Sequence, residues 1–440
     1  MIPPPGAVLS ASLSDIEERI LASAPTIERW FRQEWMEHAP PFYTSVDLRN
    51  AGFKLAPVDT NLYPGGWNNL PTQALPQAAL AALATVKRYC PEARRLLLVP
   101  ESHTRNAFYL KNVGQLQGIL SRAGLEVRLG TMNAEIAAAT RFDLGDGQHV
   151  TLEPLVLNGG RLCLADFDPC IVLLNNDLSA GIPAILSELH GQCMLPPLHA
   201  GWHVRRKSQH FKSYHEVAVR FGMLLGIDPW LINPLFSHCD RLDFSTGLGV
   251  GRLQSKVDTL LAEIRWKYEE YGVKEQPFVV VKADNGTYGM GIMTVRDASE
   301  LEQLNRRARN KMATIRDGQE VSEVIIQEGV HTGESICGAP AEPVVYMMGR
   351  DVVGGFYRAN ARRGVDENLN APGAVFVPLV SQASDPLTIP PGATPVVDTA
   401  NRFYPYGVIG QLAALAASYE LEATCLRAND VRFCLDETIE

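Results

Sequence analysis

Lys282 ends an apolar run, Phe278-Val-Val-Val-Lys282, and is followed at once by Ala-Asp-Asn-Gly286-Thr-Tyr288-Gly289-Met-Gly291. A strand that delivers a lysine into a glycine-rich turn is one way to hold phosphate oxygens, because glycines let the backbone fold tightly and aim several N–H groups at one point. The glycines read Gly-x-x-Gly-x-Gly and no Gly-Lys dipeptide occurs in the chain. That pattern excludes a Walker loop and fails the dinucleotide fingerprint. Taken alone, a glycine-rich hairpin with a surface lysine would look the same.

Three later segments add to this one. Glu323-Val-Ile-Ile-Gln327-Glu328-Gly-Val330 reads as a buried strand with a polar exit, able to offer donors and acceptors to a purine edge and an acid to ribose hydroxyls. An ordinary strand exit would share that pattern. Ala341-Glu342 to Asp351 and Val352 to Arg358 read as a hairpin ending in an arginine. The loop Gly364–Gly373 then crowds Asp366, Glu367, Asn368 and Asn370 together, oxygen donors of the kind Mg²⁺ takes, although an exposed acidic turn has the same composition. The order of lysine strand, glycine loop, Gln-Glu strand exit, arginine and acid/Asn loop is more informative than any one part.

Upstream, Asp47, Arg49, Asn50, Lys54, Asp59, Asn61, Asn68 and Asn69 put both signs of charge and several amides into one polar, glycine-containing stretch, Asp47–Asn69. Such a stretch suits an amino-acid substrate, and it reads as a loop; a polar loop that solvates itself is the alternative. Glu101, His103, Arg105 and Asn106 follow a strand end, where open α/β sheets bind ligands. Arg205-Arg206-Lys207 could meet phosphate or a carboxylate, or simply solvate a helix end. His199 and His203 are four apart, but Gly201 between them and the lack of a glutamate after His199 argue against a zinc-protease pair.

The elements that must position these residues alternate. Helical spacing covers 13–36, with Ser14 and Asp15 as caps and Pro25 as a break, then 75–89, about 110–123, about 252–271 and about 407–420. Strand-like runs occur at 95–100, 126–130, 171–174, 277–282 and 323–330. This predicts an α/β chain in three parts: an N-terminal α/β substrate-binding domain over 1–190, a mainly helical bridge over 191–270, and a nucleotide-binding and catalytic region over 271–440. Six prolines between 378 and 406 mark a loop.

A chain of 440 residues needs more than one core, and 46% hydrophobic residues supply the material. The net charge of −9 opposes binding of nucleic acid through the surface. No apolar run of membrane-spanning length and no secretory leader are evident, and eight cysteines without a Cys-x-x-Cys pair read as reduced thiols of a cytoplasmic protein.

The block Ser45-Val-Asp-Leu-Arg-Asn-Ala-Gly-Phe-Lys-Leu-Ala-Pro-Val-Asp-Thr-Asn-Leu-Tyr-Pro-Gly-Gly-Trp-Asn-Asn-Leu70 resembles the signature of proteobacterial glutamate-cysteine ligases with an ATP-grasp core. The likeness continues through Val99–Tyr109, Leu174–Ser179, Gly201–Phe211 and the segments beginning at Phe278. It implies an ATP-grasp fold, with α+β subdomains holding ATP between them. It also implies activation of the γ-carboxylate of glutamate as an acyl phosphate, then displacement of phosphate by the cysteine amine to give γ-glutamylcysteine, the first step of glutathione biosynthesis.

On that resemblance Lys282, Gly286, Tyr288, Gly289 and Gly291 hold phosphates; Gln327, Glu328 and Val330 hold the rest of ATP; and Arg358 faces the transferred group. Mg²⁺ falls to Glu342 with Asp366, Glu367, Asn368 and Asn370, where Asp366-Glu-Asn368 and Asn368-Leu-Asn370 compete as the ligand pair. Residues 285–291 are expected to close as a lid. The partners implied are glutamate, cysteine and ATP, with homo-oligomerisation left open. An ATP-grasp ligase for another amine, a nucleotide binder without catalysis and a small-molecule kinase are the rival readings.

Overall fold

The computed structural model describes residues 14–102, 106–145, 147–285, 291–302, 304, 306–313, 320–379 and 402–425. Gly286, Tyr288, Gly289, most of the expected lid, His103, Arg105 and most of the proline-rich loop lie outside them.

The first described helix opens on a capping box. Ser14 accepts from the Glu17 N–H, while the Glu17 carboxylate takes the Ser14 N–H at 2.7 Å, and this starts the helix Asp15–Ala22. Pro25 stands in the first turn of the next helix, Ala24–Glu37, where its missing N–H costs nothing. The expected break at Pro25 is therefore a helix start.

Two of the three main sheets are each built from one stretch of the chain. A mostly parallel sheet runs Cys193–Leu195, Ile171–Asn175, Arg95–Pro100, Glu126–Thr131, Gln148–Pro154, with Thr140–Gly145 antiparallel at its edge. A small antiparallel sheet runs Phe236–Cys239, Val324–Glu328, Val279–Ala283, Ile292–Val295. The helix Val250–Tyr271 packs on it through Leu253, Val257, Leu260 and Ile264.

The central sheet joins distant parts of the chain. Its order is Val375–Pro378, Asp351–Ala359, Ala339–Met348, Tyr43–Asn50, Leu55–Asn61, all antiparallel, with Glu334–Ile336 added to Ala339–Met348. The polar stretch expected to be a loop from Asp47 is thus a hairpin as far as Asn61, followed by turns. Its alternation explains why. Val46 and Leu48 point into a core shared with Ile409, Leu412 and Leu415 of the last helix, Phe403–Thr424, each such side chain contributing about 1.5–3 kcal/mol on burial. Asp47 and Arg49 point to the other face. The sheet unites residues from the first and last of the three expected segments.

The long helix expected at about 252–271 is present as Val250–Tyr271, and the bridge holds a second long helix, Lys207–Leu225, that packs along the last one. No described helix is long and apolar enough to cross a membrane, and none of the described cysteines is disulfide-bonded.

Candidate functional site

The polar face of the central sheet looks across a cleft at the small antiparallel sheet. The cleft encloses about 830 Å³, open mouth included, and is lined by Lys282, Gln327–Val330, Glu342, Arg358 and the acid/Asn loop, one or more residues from each described motif of the 282–370 series.

On the central sheet, register sets Asp47 opposite both Val344 and Asp59, and Glu342 opposite Arg358. These charges pair in a chain. Arg358 Nη1 donates to Asp47 Oδ2 at 2.8 Å and Glu342 Oε1 at 2.9 Å, and Arg49 Nε donates to Glu342 Oε2 at 2.9 Å. Burial weakens the charged guanidinium of Arg358, but the Asp47 and Glu342 carboxylates outweigh it and hold its pKa well above the ordinary value. Arg358 is a fixed cation with one buried donor, Nε, that has no protein partner.

Arg49 is used differently. Its Nη1 donates to the carbonyls of Val330 at 3.0 Å and Val365 at 3.2 Å, and its Nη2 to the carbonyl of Glu367. It therefore staples the strand exit and the acid/Asn loop to the central sheet, rather than presenting an open fork to a ligand.

On the opposite wall, Lys282 Nζ donates to Val58 O and to Gln327 Oε1, each at 2.7 Å. An ammonium has three donors, so one is left over. Burial pulls its pKa down to about 8, with Lys207 and Arg49 adding to the fall and Asp59 opposing it. Gln327 is 1% exposed and its Nε2 has no partner. Lys207 Nζ lies 2.5 Å from Asp59 Oδ1. Burial would raise Asp59, but Lys207 and Lys282 outweigh it and hold it at about 2.

Val280, Ile292 and Thr294 complete this wall. They escaped the sequence reading, although Val280 is two residues before Lys282 and shares its strand face. Gly329 also lines the cleft, and no side chain fits there, since a Cβ would sit 2.0 Å from the Phe278 ring.

Several expected site residues are held elsewhere. Asn50 faces away from the cleft, donating to Glu17 at 3.0 Å and Tyr406 at 3.3 Å. Lys54 is fully buried against Glu328 at 2.7 Å, so the Glu328 carboxylate, which also accepts from Trp230 Nε1 and the Leu235 N–H, faces that ion pair rather than a ribose. Asn61 accepts from the Tyr63 N–H, Asn68 is exposed beside Asn69, Arg205 is clamped on Glu420 at 2.8 Å, and Arg206 approaches Glu323 at 3.5 Å. Asn106 caps the helix Ala107–Arg122, and Gly291 sits just before Ile292 with φ +61°.

The donor set at the cleft mouth has the chemistry of a hard-cation site: Asp366, Glu367, Asn368 and Asn370 line it, with Glu342 deeper in. Asp366 pairs with Arg296, which lowers its pKa against the effect of burial, and Glu367 accepts from the Gly364 N–H at 2.7 Å. Glu342, Asp366 and Glu367 do not converge on one point; among the described residues the only group of three or more histidine, cysteine or acid side chains that does is His238, Asp284 and Glu323. Mg²⁺ needs only one or two carboxylates beside phosphate and water, so the oxygen donors present suffice.

Residues 17–421 match the family described as glutamate-cysteine ligase. Among solved structures, one from Methylobacillus flagellatus KT, whose name offers it as a gamma-glutamylcysteine synthetase, is 54% identical, with a TM-score of 0.86, covering 96% of this chain and 100% of that one. No curated protein matches the chain.

Proposed function

The chain belongs to the glutamate-cysteine ligase family, and from that premise we propose how its cleft performs the reaction. It is an ATP-dependent ligase that joins glutamate to cysteine as γ-glutamylcysteine, a step of glutathione biosynthesis. In our reading the small antiparallel sheet and the central sheet are the two jaws of an ATP-grasp site. The carrying observation is that Lys282 and Arg358, from opposite jaws, line one cleft together with two buried donors that lack protein partners, Arg358 Nε and Gln327 Nε2.

Lys282 and Lys207 take the phosphate chain, while Val280, Ile292 and the Gln327–Val330 strand exit hold the base. Arg358, kept charged by Asp47 and Glu342, faces the γ-carboxylate of glutamate and the phosphoryl group it receives. Negative charge grows there both when the acyl phosphate forms and when the amine attacks it, and a preorganised cation in a dry site lowers both barriers. Asp366, Glu367, Asn368 and Asn370 would hold Mg²⁺, with Glu342 behind them. That ion would screen the phosphate charges. A reducing, cytoplasmic setting suits a thiol substrate and the unbridged cysteines.

The test is phosphate release from Mg-ATP with glutamate, cysteine or both, with the dipeptide followed by mass. Release that needs both amino acids, in step with γ-glutamylcysteine, is the expected result. Arg358→Ala should lower kcat by roughly 10²–10³ without matching loss of nucleotide binding. An Arg358→Ala enzyme within a few-fold of the parent would remove Arg358 from its assigned role.

A further inference from the structure

The two cleft lysines come from different elements, and one buried carboxylate ties those elements together. Lys207 is the first residue of the helix Lys207–Leu225, and Lys282 lies next to the end of the strand Val279–Ala283. Asp284 follows that strand and is 1% exposed. Its Oδ1 accepts from the Ser208 N–H at 2.8 Å and its Oδ2 from Ser208 Oγ at 2.7 Å. Its backbone carbonyl accepts from the Lys207 N–H at 2.8 Å, and its own N–H donates to Glu323 O at 3.1 Å.

The helix has no side-chain cap of its own. Asp284 therefore satisfies the first two N–H groups of the helix from outside and puts a negative charge at the positive end of the dipole. His238 Nε2 stands 3.6 Å from the same carboxylate and Glu323 is close by. Ser208 already holds both Asp284 oxygens and Arg206 pairs with Glu323, so this cluster reads as a joint and not as a cation site. At the other end of the two side chains, Lys207 Nζ meets Asp59 and Lys282 Nζ meets the carbonyl of the preceding Val58. The pair is thus fixed at its backbone by Asp284 and at its tips by the Leu55–Asn61 strand.

We propose that Asp284, with Ser208 as its partner, is a positioning residue that sets the spacing of Lys207 and Lys282 so that both ammonium groups engage one triphosphate chain. The inference rests on the reading of the cleft as the nucleotide site. Asp284 touches no substrate and acts only through the two lysines. Displacing a binding group by about 1 Å is enough to cost on the order of 10²-fold in rate.

The experiment is steady-state kinetics of the full chain with Mg-ATP, glutamate and cysteine for Asp284→Ala, Asp284→Asn, Ser208→Ala, Lys207→Met and the Asp284→Ala/Lys207→Met pair. Asp284→Ala should raise KM for ATP about tenfold or more while moving KM for glutamate by less than about twofold. Asp284→Asn keeps an oxygen to accept from the Ser208 N–H and can donate its amide N–H to Ser208 Oγ, and should recover most of that loss. Adding Asp284→Ala to Lys207→Met should cost little more than Lys207→Met alone, because the two act as a unit. Ser208→Ala gives a smaller change of the same kind and carries the test if Asp284→Ala does not fold. An unchanged KM for ATP, a loss spread evenly over all three substrates, or effects that multiply in the double variant would overturn the proposal. Lys282→Met separates the two readings: if it weakens ATP binding and the Asp284 variants do not, only the positioning role fails, whereas an unaffected Lys282→Met removes the nucleotide site itself.

Discussion

Burial gives the cleft lysine a second property besides its position. The Lys282 pKa of about 8, set mainly by desolvation, means that the free enzyme loses this charge well below the ordinary lysine value of 10.5. If Lys282 holds phosphate as proposed, KM for ATP should therefore stay level below pH 8 and rise above it, as the ammonium is titrated away. Lys282→Arg, charged throughout, should flatten the rise. A pH profile of KM identical in the two enzymes would dissociate Lys282 from the phosphates. This lysine's place in the cleft was legible in the sequence because its strand and the glycines that follow it are adjacent along the chain. The use of Arg49 was not. All its bonds go to residues more than 280 positions away, and no spacing in the Ser45–Leu70 block indicates whether a guanidinium will face a ligand or staple two loops.

Among the elements, the strands expected at 95–100, 126–130 and 171–174 and the helices expected at 75–89 and about 252–271 stand close to their sequence boundaries because their periods are carried by neighbouring residues, whereas Thr140–Gly145, Gln148–Pro154, Cys193–Leu195 and the helix Lys207–Leu225 were not marked. The hairpin Tyr43–Asn50 and Leu55–Asn61 read as loop for a physical reason: its polar positions face the cleft and its apolar ones face a helix near the other end of the chain. The turn of this hairpin is locked to the small sheet by Lys54 and Glu328, both at most 1% exposed, with Lys54 Nζ 4.2 Å from the centre of the Trp230 ring. Glu328→Gln would leave Lys54 buried without a counter-charge and should cost about 3–5 kcal/mol in denaturant unfolding. Replacing both partners with apolar residues should recover part of that. A single variant as stable as the parent would show that water or another acid reaches Lys54.

At the scale of the whole molecule, the first helix, the last helix and the central sheet meet at a buried polar knot. Glu334 accepts from Arg402 at 3.0 Å and from Tyr406, and Arg402 also approaches Glu17 at 3.6 Å. Burial raises the Glu334 pKa to about 7, Tyr406 and Arg402 offset part of the rise, and Glu17 adds to it. The folded state then binds this proton more tightly than the unfolded chain, so the stability it contributes is complete below pH 4.5 and is lost as pH climbs through 7. Over that whole range the loss amounts to roughly 3 kcal/mol. Glu334→Gln should remove that slope, seen as a smaller fall in Tm between pH 5 and 7.5 than in the parent; equal falls would place the titration elsewhere. None of this knot was readable from sequence, since its members come from residues 17, 334, 402 and 406.

The same long-range closure governs when the enzyme comes into being. Strands of the parallel sheet lie within 95–195 and those of the small sheet within 236–328, so each can pair soon after it leaves the ribosome. Residues 43–50 must wait until the chain has been made past residue 348 for their partner strand. At about 5–20 residues per second the delay is roughly 15–60 s, during which a hairpin with one apolar face stands without its neighbour and is a natural client for a chaperone. Arg358 and the acid/Asn loop arrive later still. On the proposed assignment of the cleft, catalytic competence therefore appears in one step, late in synthesis, and a ribosome that stops short of this region releases no partially active product.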